Sequence, residues 1–186
     1  GDVITAESLI DEVRERVIEK MKDSDIDNKE DIAEEIAVGA IKYSILKQSV
    51  GKDIIFNMDK SLSFEGDSGP YLQYAHTRAN AVLEKAKVEN IKIQTSGVYI
   101  IEGAIELEKL LYRFPEVVER ANKEYEPHYV TTYLTKLAGA FNSFYAKEKI
   151  VEKSDTAPHK VALTEAFANT IKNGLWLLGI KAPDRM

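Results

Sequence analysis

Groups able to do chemistry crowd into one stretch, LSFEGDSGPYLQYAHTRANAVLEKA (Leu62 to Ala86), where an acidic, glycine-bearing loop meets a helix start carrying Tyr71, Tyr74, His76 and Arg78. Tyrosines three residues apart share a helix face. They can offer two aromatic platforms, or one platform and one ring that plugs the interior with only its hydroxyl exposed. Arg78 is the natural phosphate partner, because its charge is independent of pH and its planar fork donates in pairs. His76 reads as a locally satisfied hydrogen-bond partner. Glu65 and Asp67 would repel phosphate, so they read as groups that cap the helix or order the loop.

Other chemistries lack their residues. The chain has no cysteine, which excludes disulfides, thiolate metal sites and cysteine nucleophiles. His76, His128 and His159 are too far apart for metal-ligand spacing. EGDSGP has glycines but neither the preceding strand nor the lysine of a phosphate-binding loop. No histidine is paired with a nucleophile-elbow serine. No catalytic residue, metal ligand or cofactor site is expected in this chain.

At 186 residues, 44% hydrophobic and 30% charged, the chain is sized for one good core or two small ones. No apolar run approaches the ~20 residues of a membrane span, so no membrane partner is expected. GDVITAESLIDEVRERV lacks the basic-then-apolar order of a secretion signal. The cysteine-free composition is compatible with a reducing cytoplasm, the expected location. Net charge is −6, but unevenly spread. Residues 1–35 hold 5 Lys or Arg against 13 Asp or Glu, whereas residues 127–186 hold 8 against 5. A polyanion would prefer the second region, because local charge makes phosphate contacts. Two solvated faces explain the same split.

Helical periodicity runs through nearly the whole chain. Thr5–Lys22 carries Leu9, Ile10, Val13, Val17 and Met21 in a stripe. A turn over 22–28 leads to a helix capped by Asp27 or Asn28 and stopped at Gly51, in which Gly39 and Ala40 let another helix come close. KDIIFNMDKSLSF alternates as a short extended segment would. Pro70 then opens a helix to about Lys87. VENIKIQTSGVYIIEG is a long excursion. AIELEKLLYRF is a short helix ended by Pro115, which starts the next. A long helix from Pro127 carries Phe141, Phe144 and Tyr145, mostly core, with Tyr145 beside AKEK as the exposed exception. The last helix closes near Gly179 and buries Trp176. Lys147, Lys149, Lys153 and Lys160 supply positive field around the loop between these two. The fold class is all-α.

Three long motifs carry a resemblance: AIKYSILKQSVGKDIIFNMDKSLSFEGDSGPYLQYAHTRA, EPHYVTTYLTKLAGAFNSFYAKEKIV and ALTEAFANTIKNGLWLLGIKAPDRM. The first resembles the post-catalytic region of bacterial arginyl-tRNA synthetases, which are class I enzymes. The others resemble that family's α-helical anticodon-binding domain, including its terminal Arg-Met. GDVIT resembles the residues after the family's lysine-bearing ATP loop. The resemblance implies stem-contacting helices over 1–63 and a DALR-type anticodon-binding bundle over 64–186. It also implies a missing upstream nucleotide-binding core. The parent would ligate arginine to tRNA-Arg with ATP and Mg. Arginine and ATP would enter only through that core, and the fragment would be inactive.

On the same resemblance, the tRNA-binding residues are Tyr71, Tyr74, Arg78, Tyr145, Lys147, Lys149, Arg185 and Met186. Tyr71 and Tyr74 match tyrosines beside the anticodon loop, Met186 matches a terminal methionine that approaches it, and the loop Phe64–Pro70 matches one that shifts on tRNA binding. Anticodon loops suit such residues, since unstacked bases are read by aromatic stacking and edge hydrogen bonds. Two rivals remain. A helical protein-interaction module would show a large exposed apolar patch and indifference to RNA. A small enzyme built around His76 and Glu65 would need a buried pocket with a perturbed titratable group.

Overall fold

The structure is a computed structural model that describes residues 5–22, 24, 27–93 and 99–186. GDVIT up to Ile4, parts of the 22–28 turn and the middle of the 88–103 excursion lie outside the described residues. The described residues form seven α-helices, in order α1 (Ala6–Lys20), α2 (Lys29–Leu46), α3 (Met58–Ser61), α4 (Gly69–Val88), α5 (Ile105–Glu124), α6 (His128–Lys147) and α7 (Ala157–Leu177). A short 3₁₀ turn, Glu102–Ala104, precedes α5. No strand occurs among the described residues, and none of these helices is long and apolar enough to cross a membrane.

Two apolar clusters hold the chain. In the smaller, Val13 and Val17 of α1 and its C-cap Met21 meet Ala33, Ile36, Ala37 and Ala40 of α2 and Leu62. The α1 stripe falls at i, i+4 and i+8, and Thr5 caps it by accepting a hydrogen bond from the Ser8 amide at 3.1 Å. The larger cluster is built from α4 to α7 and reaches back to Tyr43 of α2. Its centre is the parallel stack of Phe141 on Phe167, centroids 4.0 Å apart at 5°. Each such buried large side chain contributes about 1.5–3 kcal/mol of transfer free energy.

Helix α4 joins the two clusters. Ser68 caps it by accepting from the Tyr71 amide, and Pro70 sits in its first turn, where the missing N–H costs nothing. Leu72, Ala75, Ala79, Val82 and Ala86 form the buried stripe. Gly39 permits the expected close approach: a Cβ there would lie 2.9 Å from the Gln73 side chain, and one on Gly69 would strike the Gly39 carbonyl. Helix α7 ends in a Schellman turn. Gly179 (φ +66°) donates to the Trp176 carbonyl, and Ile180 donates to that of Leu175.

Four local readings change. Asn28 precedes α2 but adopts a left-handed backbone (φ 58°) with no side-chain cap, so the 28–29 turn rather than a capping oxygen sets the entry. α2 ends at Leu46, short of Gly51, which turns the following loop instead. The expected extended segment at 52–64 contains the helical turn α3, capped by the Asn57 side chain. Pro115 does not end α5, which runs on for nine more residues. An interior proline costs ~3 kcal/mol, but here α6 packs alongside: Tyr133 stacks on Phe114 and donates to the Leu110 carbonyl at 2.8 Å.

Candidate nucleic-acid interface

Helices α4 and α6 put Tyr74, Arg78 and Tyr145 side by side. Tyr74 and Arg78 are one turn apart on α4, so they share a face. The Arg78 guanidinium lies 4.8 Å from the Tyr74 ring centroid and 5.3 Å from that of Tyr145. It also donates to Asn142 Oδ1 at 2.9 Å, and Asn142 Nδ2 donates to the Tyr71 hydroxyl at 3.0 Å. This chain of contacts fixes the guanidinium in one pose, leaving its remaining donors for an anion. Tyr74 and Tyr145 are 38% and 43% exposed, so each ring keeps an accessible part. Tyr74 is braced from behind by Phe64, edge to face at 6.0 Å.

These groups line a groove of about 910 Å³ that Asn142, Arg185 and Met186 also line. Five of the eight residues named from the sequence therefore meet in one place: Tyr74, Arg78, Tyr145, Arg185 and Met186. Tyr71 does not line it. Its ring packs on the larger cluster and its hydroxyl accepts from Asn142, the plug alternative. Lys147 lies in a different groove, between α5 and α6, with Glu102 and Glu106 beside it. Lys149 is exposed in the loop after α6. Asn142, which orients Arg78, was missed by sequence reasoning. Its spacing was the available signal, since it lies three residues before Tyr145 on the same face of α6.

Two further sequence expectations fail. Lys160 adds nothing to an outward positive field, because it is buried and paired with Glu148 at 2.9 Å and Glu152 at 3.1 Å. Trp176 is 74% exposed rather than buried. Of the two acidic residues expected to cap α4 or order the loop Phe64–Pro70, Asp67 tethers the loop, the Glu65 carboxylate is exposed, and neither caps the helix. Asp67 accepts from the Tyr43 hydroxyl, which also contacts Thr135 Oγ1 at 2.7 Å, and pairs with Lys47 at 3.3 Å. Burial and the Asp67 carboxylate together push the Tyr43 phenol well above its usual range.

His76 is buried, and its Nδ1–H donates to the Pro183 carbonyl at 3.0 Å. Burial holds its pKa below the ordinary value, with Lys172 of α7 acting in the same sense and Asp184 and the Pro183 carbonyl opposing. The ring is thus committed to the C-terminal tail, whereas Glu65 is exposed. The rival enzyme reading required the two in one pocket. No group of three potential metal-ligating side chains converges among the described residues. The glycine-bearing loop presents Asp67, already engaged by Tyr43 and Lys47, where a phosphate would need donors.

The sequence profile of the DALR anticodon binding domain matches residues 72–186, from the first turn of α4 to the end. An arginine–tRNA ligase of Pyrococcus abyssi is 39% identical over 190 residues, covering 98% of this chain and 30% of that protein. One from Lactococcus lactis subsp. lactis is 37% identical, covering 100% and 33%. Among solved structures, the arginyl-tRNA synthetase of Thermus thermophilus superposes with a TM-score of 0.88 at 31% identity, covering 99% of this chain and 32% of that one. The chain spans about a third of the length of these relatives. It belongs to the DALR anticodon-binding-domain family, and the relatives it matches along its full length are arginyl-tRNA synthetases.

Proposed function

We propose that this chain binds the anticodon arm of tRNA-Arg in the groove between α4, α6 and the C-terminal tail. It would do so on behalf of a cytoplasmic arginine–tRNA ligase whose catalytic portion, with ATP and Mg, lies elsewhere. The observation that carries the reading is the Tyr74–Arg78–Tyr145 triplet, two partly open rings flanking a fixed guanidinium. Splayed bases stack on tyrosine or on an arginine plane, and the same arginine can hold the adjoining phosphate. Arg185 adds a second cation and Met186 an apolar contact. Tyr71 acts through Asn142, by orienting Arg78. Lys147 and Lys149 sit outside the groove and would touch RNA only beyond the loop itself.

We also read the chain as two units, 1–63 serving the tRNA stem and 64–186 the anticodon, in keeping with the two apolar clusters. A helical protein-interaction module is the second reading, favoured by exposed Trp176 and Leu177. Titration with tRNA-Arg and with a tRNA of different anticodon, at several salt concentrations, separates the readings. With about two phosphates neutralised, by Arg78 and Arg185, the log–log salt slope for the single-stranded loop should be about −1.5. Equal affinity for both tRNAs, or no binding at low salt, would defeat anticodon recognition.

A further inference from the structure

The last seven residues carry no secondary structure, and such tails ordinarily fray. This one is tied down. Gln73, His76 and Asn80 of α4 stand at i, i+3 and i+7, one face of the helix. They bond the tail in the same order. Gln73 Nε2 donates to the Lys181 carbonyl at 2.8 Å, His76 Nδ1–H to that of Pro183 at 3.0 Å, and Asn80 Nδ2 to Asp184 Oδ1 at 3.3 Å. Pro183 is itself buried. From the other side, Lys181 Nζ reaches Glu35 Oε1 at 3.2 Å and Lys172 Nζ lies 3.9 Å from Asp184.

Gln73 is the most telling member. It is fully buried, and its Oε1 has no hydrogen-bond partner among the described residues. Leaving a buried acceptor unsatisfied is costly, so an apolar residue would serve packing better. What an apolar residue could not supply is the two amide donors, spent on the Glu35 carbonyl of α2 and the Lys181 carbonyl of the tail. The neighbouring face of α4, at Tyr74, Arg78 and Ala81, lines the groove that the tail tip enters.

We infer that Gln73, His76 and Asn80 are positioning residues that hold the C-terminal tail along α4 and so set Arg185 and Met186 at the edge of the RNA groove. Gln73 and His76 are buried and do not line the groove, so their role is purely positional, whereas Asn80 also lies on the groove wall. All three act by keeping the tip in its binding-competent place, and releasing them lowers apparent affinity by the fraction of molecules left competent. The inference rests on the proposed RNA groove for its consequence, but not for the latch itself.

Two measurements on the full chain test it. In 15N relaxation, H76L and N80A should lower the backbone order parameters of residues 181, 182 and 184–186 while those of α4 and α7 stay unchanged. Unchanged tail order overturns the latch, and so does equal loss of order throughout α4, which would make His76 a general core residue. H76Q, which keeps a donor, should restore tail order at least in part. In tRNA titration, each latch variant should weaken binding about three- to tenfold, as should R185A/M186A. H76L combined with R185A/M186A should weaken it no further than R185A/M186A alone. Additive losses overturn the inference. If the unaltered chain binds no tRNA, the groove reading fails, and the tail order parameters still decide whether the tail is latched.

Discussion

At the scale of single residues, the two tyrosines of YLQY are assigned different work by where their rings lie. Tyr74→Ala removes an accessible ring and should cost ~1–3 kcal/mol of tRNA affinity if that ring stacks on a base. Tyr71→Phe keeps the packed ring and loses only the acceptor for Asn142. It should lower stability by about 0.5–1.5 kcal/mol, read by urea denaturation, and weaken tRNA binding less than Tyr74→Ala does. The reverse ranking would mean that the assignments are exchanged. Sequence spacing placed both tyrosines on one helix face but could not say which ring turned inward, because that depends on α6 and Asn142, seventy residues away. Trp176 shows a missed signal. The run GLWLLG reads as buried by composition, yet in this stretch the buried positions are Ile171, Gly174 and Leu175 of α7 and its C-cap Leu178. Their phase leaves 176 and 177 outside. Lys160 was misread for the opposite reason: it lies in phase with the buried Ala157 and Thr164, and its charge masked its place on the inner stripe.

Among elements, close helix contact decides a sign that propensity alone gets wrong. Alanine is a better helix former than glycine by about 1 kcal/mol, so Gly69→Ala should stabilise an isolated α4. In the folded chain the new methyl meets the Gly39 carbonyl, a backbone group that cannot rotate away. Overpacking of this kind typically costs about 1–3 kcal/mol. Gly69→Ala is therefore expected to lower the thermal midpoint, and a raised midpoint would show that α2 and α4 have room to separate. The pairing of Gly39 with a neighbouring helix was readable from small residues inside an apolar stripe, and the start of α4 from Pro70, although the cap is Ser68 rather than Glu65 or Asp67. The continuity of α5 through Pro115 was not readable. Local chemistry says stop, and only the packing of α6, with Tyr133 against Phe114 and the Leu110 carbonyl, makes continuation favourable.

Over the whole molecule, the tail couples the last residues to both clusters, through Gln73 to α2 and through His76 to α4. The buried imidazole gives this coupling a pH dependence. His76 is held neutral in the fold, with its pKa below the ordinary 6.5. The unfolded chain therefore binds a proton first as pH falls. His76's contribution to stability should be complete above about pH 6.5 and be lost as pH drops from there through the folded-state pKa. Lys172 from α7 and Asp184 from the tail face the same ring, and their opposite charges set how far the window extends. Chemical denaturation at pH 7.5 and 5.5 should show a smaller loss on acidification in H76Q than in the unaltered chain. An equal loss in both would place the acid sensitivity elsewhere. Nothing in the sequence announced this, since a lone histidine on a helix reads as local until the tail's path is known.

The central claim is that RNA lands where Tyr74, Arg78, Tyr145 and the tail tip meet. The most direct measurement is amide chemical-shift mapping of the chain titrated with an isolated tRNA-Arg anticodon stem-loop. Perturbations should concentrate in the second to fourth turns of α4, the last turn of α6 and residues 184–186. Perturbations centred instead on the Lys136–Lys147 groove, on the exposed face at Trp176, or nowhere at saturating RNA would contradict the account.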